Sequence, residues 1–334
     1  MQERPSPDKI PVGVVGLGLM GCSIATCFLI AGHPVTAVAA IPADLLQAED
    51  RITRHLQRAR EEGIAGEDPG KYLVKLRITE DYTCLAQSAI VVECTIENIE
   101  IKRSVYRKIE DVIGPEALLT SNTSAIPISL LQQETRHPRR FFGLHWAEPS
   151  HTTRFLEVIC GEQSEIAKGE WLCKLSQGWG KEPTLVRKDI RGFIANRLMY
   201  AMYREACFLV ENGYGTVEDI DRACRNNTGY WMTLAGVFRW MDLTGVAAYH
   251  TVMKDLLPTL SNGTEIPRLI DDIVKAGGKG VSNARGFYEY TPEEARLWEE
   301  TYTAFAYEIR ELALRYPEDV VRKKLAAGKT NKPE

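Results

Sequence analysis

What this chain lacks removes several classes of function. No stretch of its 334 residues is long and apolar enough to span a bilayer, and Met1 to Pro11 is polar and proline-broken, without an apolar leader core. A cytoplasmic address is therefore expected. No long basic run occurs and the formal net charge is −4, so nothing in the sequence draws the protein to nucleic acid or to an anionic membrane surface. Any anionic ligand must be held by local groups. No CxxC pair occurs among the eight cysteines, and most of them sit within apolar runs. They read as reduced core residues, with neither a disulfide nor a metal site expected.

What is present is an ordinary globular composition, 44% hydrophobic and 26% charged, over a length that suggests two domains. Strand-length apolar runs at Ile10–Gly16, Val35–Ala39, Ala89–Thr95, Ala117–Thr123, Phe141–Trp146, Leu156–Cys160 and Thr184–Val186 alternate with helical patterns. The helical segments are Met20–Ala31, Pro42–Glu62, Ile99–Ile113 and Glu165–Gln177. This alternation predicts an α/β domain with a mostly parallel, doubly wound sheet of Rossmann type over residues 10–190, after a tail at 1–9. Beyond Gly192 the strand signals stop. Phe193–Glu211, Val217–Arg225, Gly245–Leu257 and Pro267–Ala276 read as helices, so residues 191–290 predict an all-helical C-terminal domain. A charged extension at 291–334 contains a further helix over Glu293–Arg315.

Gly16, Gly18 and Gly21 form G-x-G-x-x-G between the first strand and the first helix, with Leu19 and Met20 inside the turn. The first glycine permits the tight turn, the second lets backbone approach a pyrophosphate, and the third allows close helix–strand packing. The motif alone is weak, but its strand–turn–helix setting points to a dinucleotide. Here too something is missing: the second strand ends in Ala39-Ala40, where such folds place an acid that grips the ribose. A charge-assisted bond is worth roughly 1.5–3 kcal/mol, so its loss weakens NAD binding about tenfold to a hundredfold without abolishing it. Residues 40–44 offer no cation for a 2′-phosphate, and Arg51 and Arg54 read as too far along the next helix. NAD is favoured and NADP is second.

Five segments come next in register: TIENIEIK (95–102), SNTSAI (121–126), GLHWAEPSHTTRFLEVICG (143–161), KDIRGFIANRL (188–198) and GFYEY (286–290). In this order and spacing the chain resembles the 3-hydroxyacyl-CoA dehydrogenase family from about Val12 to Tyr290. The resemblance implies an L-3-hydroxyacyl-CoA substrate, NAD, and a homodimer joined through the helical domain. It implies that His145 is the general base, that Glu157 orients its imidazole, that Ser124 hydrogen-bonds the reacting oxygen and that Asn196 completes the site. Glu97, with Lys102 and Asn122 nearby, is implied on the cofactor side of the cleft. Each has a plainer competitor. His145 alone could be a structural histidine at a strand end, Ser124 a turn residue before Ile126-Pro127, Asn196 a polar group within a helix, and Glu97 an N-cap or partner of Lys102. Of the other histidines, only His151 is placed to line the same pocket.

The chain also departs from the family pattern. After the histidine that pattern has two aromatics, an asparagine and a proline, whereas this chain has Trp146-Ala147-Glu148-Pro149. Glu148 is expected to raise the pKa of His145, to select a substrate bearing a donor or cation, or to turn outward and pair with Arg154. The segment 227–245 is more like branches that oxidise free 3-hydroxy acids such as gulonate or carnitine. Trp231, with Tyr230, Phe238 and Trp240, either lines an acyl pocket or is helix core. Arg51, Arg54, Arg58 and Arg60 are the cations available should CoA phosphates lie along that helix, opposed by Glu61 and Glu62. Against the free-acid branch, TTRFLEVICG (152–161) keeps the wording of the acyl-CoA branch, with Arg154, a substrate-side candidate, at a position usually basic there. The reading is an NAD-dependent 3-hydroxyacyl-CoA dehydrogenase, with the same chemistry on a free hydroxy acid second and a catalytically silent dinucleotide-binding protein third.

Overall fold

The computed structural model describes residues 10–330, with side chains through residue 327. The expected tail at 1–9 lies outside the described residues. The described residues pack as two compact units, divided between Ala195 and Asn196.

The first unit is built on an eight-stranded sheet. Its strands are β1 (Val12–Val15), β2 (Val35–Val38), β3 (Leu76–Thr79), β4 (Ile90–Glu93), β5 (Leu118–Ser121), β6 (Phe141–Trp146), β7 (Leu156–Cys160) and β8 (Thr184–Val186). Their order is β3-β2-β1-β4-β5-β6-β7-β8. All neighbouring pairs are parallel except β6 and β7, which run antiparallel. Chain order reverses between β1 and β4, and it is outside the carboxyl ends of strands at such a reversal that α/β sheets bind ligands. The strands β1, β4, β5, β6 and β7 are buried along their whole length, which is why they read as continuous apolar runs.

Helices cover both faces: α1 (Leu19–Ile30), α2 (Pro42–Glu61), α3 (Pro69–Leu73), α4 (Ile99–Glu110), α5 (Ile128–Gln132) and α6 (Ile166–Ser176). On α2 the buried residues Ala48, Ile52, Leu56 and Ala59 form one stripe, the helical period that the sequence displays. The α4 helix starts at Asn98, whose side chain accepts from the Ile101 N–H at 3.1 Å. The sequence reading missed β3 because Leu76-Arg77-Ile78-Thr79 is a short edge strand, none of it fully buried.

The second unit is helical: α7 (Ala195–Glu211), whose first residue closes the first unit, α8 (Val217–Ala223), α9 (Gly229–Thr244), α10 (Val246–Leu256), α11 (Arg268–Lys275), α12 (Pro292–Arg315) and α13 (Val320–Thr330). Capping boxes start α8 at Thr216/Asp219 and α12 at Thr291/Glu294. The α9 helix, absent from the sequence reading, is broken by Gly236 at φ 64°, and that interruption blurs its periodicity. Among the described residues of this unit, the only hydrophobic side chains that are buried are Cys207, Ala295 and Tyr307. A cavity of about 840 Å³, lined by Asp221, Arg225, Tyr288, Trp298 and Tyr302 among others, opens beside α8 and α12. These helices are not packed flush.

Candidate active site

The glycine turn follows β1. Gly16 adopts φ 94°, and a Cβ there would sit 2.9 Å from the Cys94 carbonyl oxygen. A Cβ on Gly21 would collide with the Gly16 carbonyl oxygen, so the third glycine lets α1 close against the turn. Gly18 differs: a Cβ there would meet nothing within 4 Å. Its open side lies at the start of a helix that no side chain caps and no acid opposes, a setting that suits a pyrophosphate. Leu19 is exposed and Met20 half-buried beside it. Ala39 is buried and its N–H donates to Thr79 O at 2.9 Å, so no carboxylate reaches the ribose from this position.

Because Ala48 of α2 packs against Cys22 of α1, the next turn brings the Arg51 guanidinium onto the Leu17 carbonyl of the glycine loop, at 3.0 Å. The same group is committed to Gln47 at 2.6 Å and to Asp44 at 3.7 Å.

His145 and Glu157 lie directly opposite each other in the antiparallel ladder. That register brings His145 Nδ1 within 2.9 Å of Glu157 Oε2, with both side chains buried. The other carboxylate oxygen accepts the N–H groups of Ile194 (3.0 Å) and Ala195 (2.9 Å). Burial pushes the Glu157 carboxyl up, but the His145 hydrogen bond and these backbone donors outweigh it and hold the group below its ordinary value. A carboxylate facing Nδ1 selects the tautomer with its proton there, leaving the lone pair on Nε2. Phe155 and Phe193 flank the ring at 5.4 and 5.5 Å between centroids. Phe193 has φ 53°, after Gly192 at φ 79°. This pair of left-handed residues turns the chain so that the next two N–H groups meet Glu157, a local strain that a bulky residue bears only where its surroundings enforce it. Sequence reasoning missed Phe193; Gly192 was its one signal.

Ser124 is exposed on the turn after β5. Glu97 grips that turn: its Oε1 accepts the N–H groups of Ser124 (3.1 Å) and Ala125 (3.0 Å) and the Thr123 hydroxyl. Burial raises the Glu97 carboxyl, but these donors and the Lys102 ammonium bring it below the ordinary value. Asn122 ties the turn to the histidine strand, its Oδ1 accepting from the Trp146 N–H at 3.0 Å. Lys102 is fully buried, facing Glu93 at 2.9 Å and Glu97 at 3.5 Å.

The 147–155 segment speaks against the outward turn of Glu148 to Arg154. Arg154 pairs with Glu182 at 2.9 Å, and the Glu148 carboxyl turns inward to the Ser23 hydroxyl and the Ser150 N–H. Burial pushes its pKa up to about 7. Its Oε2 is buried without a hydrogen-bond partner. His151 packs edge-on against His55 of α2, 5.2 Å between ring centroids. In the second unit, Asn196 stands in the first turn of α7, directly after the Ala195 whose N–H Glu157 holds. Trp231 stacks on Trp240 at 5.2 Å, while Tyr230 and Phe238 are exposed.

A dinucleotide cradle at the sheet's topological switch, with an imidazole–carboxylate pair across β6 and β7 of the same sheet, defines an NAD-dependent oxidoreductase. Comparison with known proteins narrows the class. Residues 11–190 match the NAD binding domain of 3-hydroxyacyl-CoA dehydrogenase and residues 192–290 match its C-terminal domain. The chain belongs to the 3-hydroxyacyl-CoA dehydrogenase family. It is 33% identical over 286 residues to 5-formyl-3-hydroxy-2-methylpyridine 4-carboxylate 5-dehydrogenase of Mesorhizobium japonicum, covering 85% of this chain and 92% of that one. It is 31% identical to 3-hydroxybutyryl-CoA dehydrogenase of Mycobacterium tuberculosis, covering 84% and 98%. Among solved structures, a 5-formyl-3-hydroxy-2-methylpyridine 4-carboxylic acid 5-dehydrogenase, described as an NAD+ dependent dismutase, is similar with a TM-score of 0.85. The identity is 30%, over 92% of this chain and 99% of that one. M. tuberculosis FadB2 is similar with a TM-score of 0.69 at 29% identity, over 84% and 99%.

Proposed function

We propose that the protein transfers hydride between NAD and the oxygen-bearing carbon of a free, polar hydroxy acid, with His145 and Glu157 as the acid/base pair. The observation that carries the choice of a free acid is the state of α2. A CoA nucleotide needs cations for its phosphates, yet Arg51 is tied to Asp44 and Leu17 O, Arg58 to Glu61 and Glu62, and Arg60 to Asp68. Arg54 is left as the cation of this helix not tied to a carboxylate among the described residues. The greater likeness to a dehydrogenase named for a pyridine carboxylate supports the same choice. This reverses the order of preference reached from sequence. The thioester remains the second reading, favoured by the 29–31% identical relatives named as 3-hydroxybutyryl-CoA dehydrogenases.

NAD, when bound, accepts the hydride. The chain's own residues handle the proton: as the C–H electron pair leaves, the substrate O–H proton passes to His145 Nε2 and the carbonyl forms. Glu157 stabilises the resulting imidazolium, the Ser124 hydroxyl donates to the reacting oxygen, and Asn196 completes the site. In reverse, His145 returns the proton. The cofactor side is formed by Gly16, Gly18 and Gly21 with Glu97 and Asn122, and the substrate side by Ser124 and Glu148.

The test is the initial rate of NADH oxidation with 5-formyl-3-hydroxy-2-methylpyridine 4-carboxylate and with free acetoacetate, beside acetoacetyl-CoA. Turnover of a free acid with kcat/KM at least roughly tenfold above the thioester is expected, a gap of about 1.4 kcal/mol. A preference for acetoacetyl-CoA overturns the free-acid reading and restores the thioester. We also propose a homodimer joined through the second unit, whose apolar side chains have so little core of their own.

A further inference from the structure

One carboxylate in the first unit is buried more completely than either member of the His145–Glu157 pair. Glu93, at the carboxyl end of β4, has no exposed surface, and neither do Lys102, Tyr106 and Ser121 around it. Its Oε1 accepts from the Thr95 N–H (2.6 Å), the Thr95 hydroxyl and the Lys102 ammonium (2.9 Å). Its Oε2 accepts from Lys102 (3.0 Å), Tyr106 (3.1 Å) and Ser121 (2.7 Å). A strand-end acid with no solvent and this many donors is costly to bury, and the fold retains it where the ligand-binding edge begins.

The Lys102 ammonium stands between two carboxylates, in contact with Glu93 and 3.5 Å from Glu97. Glu97 turns its other oxygen to the N–H groups of Ser124 and Ala125. We propose that Glu93 is a positioning residue: by holding Lys102 in balance between two acids, it sets Glu97 and thereby fixes the turn that presents Ser124. Without Glu93, Lys102 has Glu97 as its remaining acid and draws it inward, off the Ser124 turn. Without Lys102, two carboxylates face each other and Glu97 is pushed away. The catalytic consequence rests on the role proposed for Ser124; the structural consequence does not.

The experiment compares Glu93→Gln, the paired Glu93→Leu/Lys102→Met variant and Glu97→Gln in the full chain. Hydrogen exchange of the peptide spanning 122–127 needs no substrate, and it is read beside Tm and NADH affinity. The proposal expects Glu93→Gln to exchange roughly tenfold faster in that peptide, as Glu97→Gln does, while β1 and β2 amides keep their protection. The paired variant, rid of both buried charges, recovers Tm but not the protection of the turn. With any substrate the enzyme turns over, kcat falls at least roughly tenfold, and NADH affinity reports separately how far the displaced Glu97 disturbs the cofactor side. Recovery of Tm, turn protection and kcat together in the paired variant would overturn the proposal, because the pair would then only fill space. So would unchanged exchange of the turn in Glu93→Gln. Should Glu93→Gln not fold, the paired variant decides alone. Failure to find a substrate strikes at the proposed function and leaves the exchange result standing.

Discussion

Substituting Gln for His145 keeps a side chain of similar reach but removes the group that takes the proton. Turnover is expected to fall about 10²–10⁴-fold while NADH still binds, measured by steady-state rates beside NADH fluorescence titration. Unchanged turnover would mean that the proton goes elsewhere. Glu148 makes a different prediction. Its carboxyl is held near 7 in the folded chain against an ordinary 4.5, so between those values the folded state holds the proton more tightly than the unfolded one. The stability this contributes is full below 4.5 and is lost as pH rises through about 7. Glu148→Gln, neutral at every pH, is expected to match the parent Tm near pH 4.5, to exceed it by a growing margin as pH rises through about 7, and to keep a constant margin above that. A constant offset across a pH series of thermal melts would refute the shift. At this scale the sequence was informative about type and poor about direction. The pairing of His145 with Glu157 was expected from the family resemblance alone; by itself His145 read as a structural histidine near a strand end. The inward turn of Glu148 was not legible, because its surroundings include Ser23, 127 residues from the Ser150 that hydrogen-bonds it. Glu93 passed unremarked as one charge ending a run of valines, since only the fold brings Lys102, Tyr106 and Ser121 around it.

The glycine turn separates two roles within one motif. Gly18→Ala places a methyl group in open space, so Tm is expected to hold while NADH affinity falls by roughly tenfold or more, because the methyl takes the place of the pyrophosphate. Gly21→Ala drives a methyl into the Gly16 carbonyl and is expected to yield little soluble protein. Equal NADH affinity in Gly18→Ala and the parent, by titration, would remove the turn from the cofactor site. Elements were legible in proportion to their burial. The interior strands declare themselves because both faces are covered and most of their residues are apolar, the polar exceptions such as Glu93 falling near strand ends. The edge strand β3 and the kinked α9 do not, since one lacks full burial and the other breaks its own period at Gly236.

For the whole molecule, sedimentation equilibrium is expected to report twice the 37.5 kDa chain mass. A monomer at micromolar concentration would refute the dimer and leave Tyr230, at 81% exposure, and Phe238, at 80%, open to water. The α/β unit followed by a helical one was readable from the point where strand signals cease. How completely the helical unit would bury itself was not, because binary patterning marks an apolar face without saying whose surface covers it. The single antiparallel pairing in the sheet has a further consequence. The proton-handling pair is set by a backbone register between two strands, whereas everything from 147 to 155 is the connection joining them. Within that connection Ser150, His151 and Thr152 are buried and the Phe155 ring flanks His145, so register and loop are set together. One hairpin thus carries both the proton-handling pair and the wall beside it, and any exchange of its loop is felt at the base through Phe155.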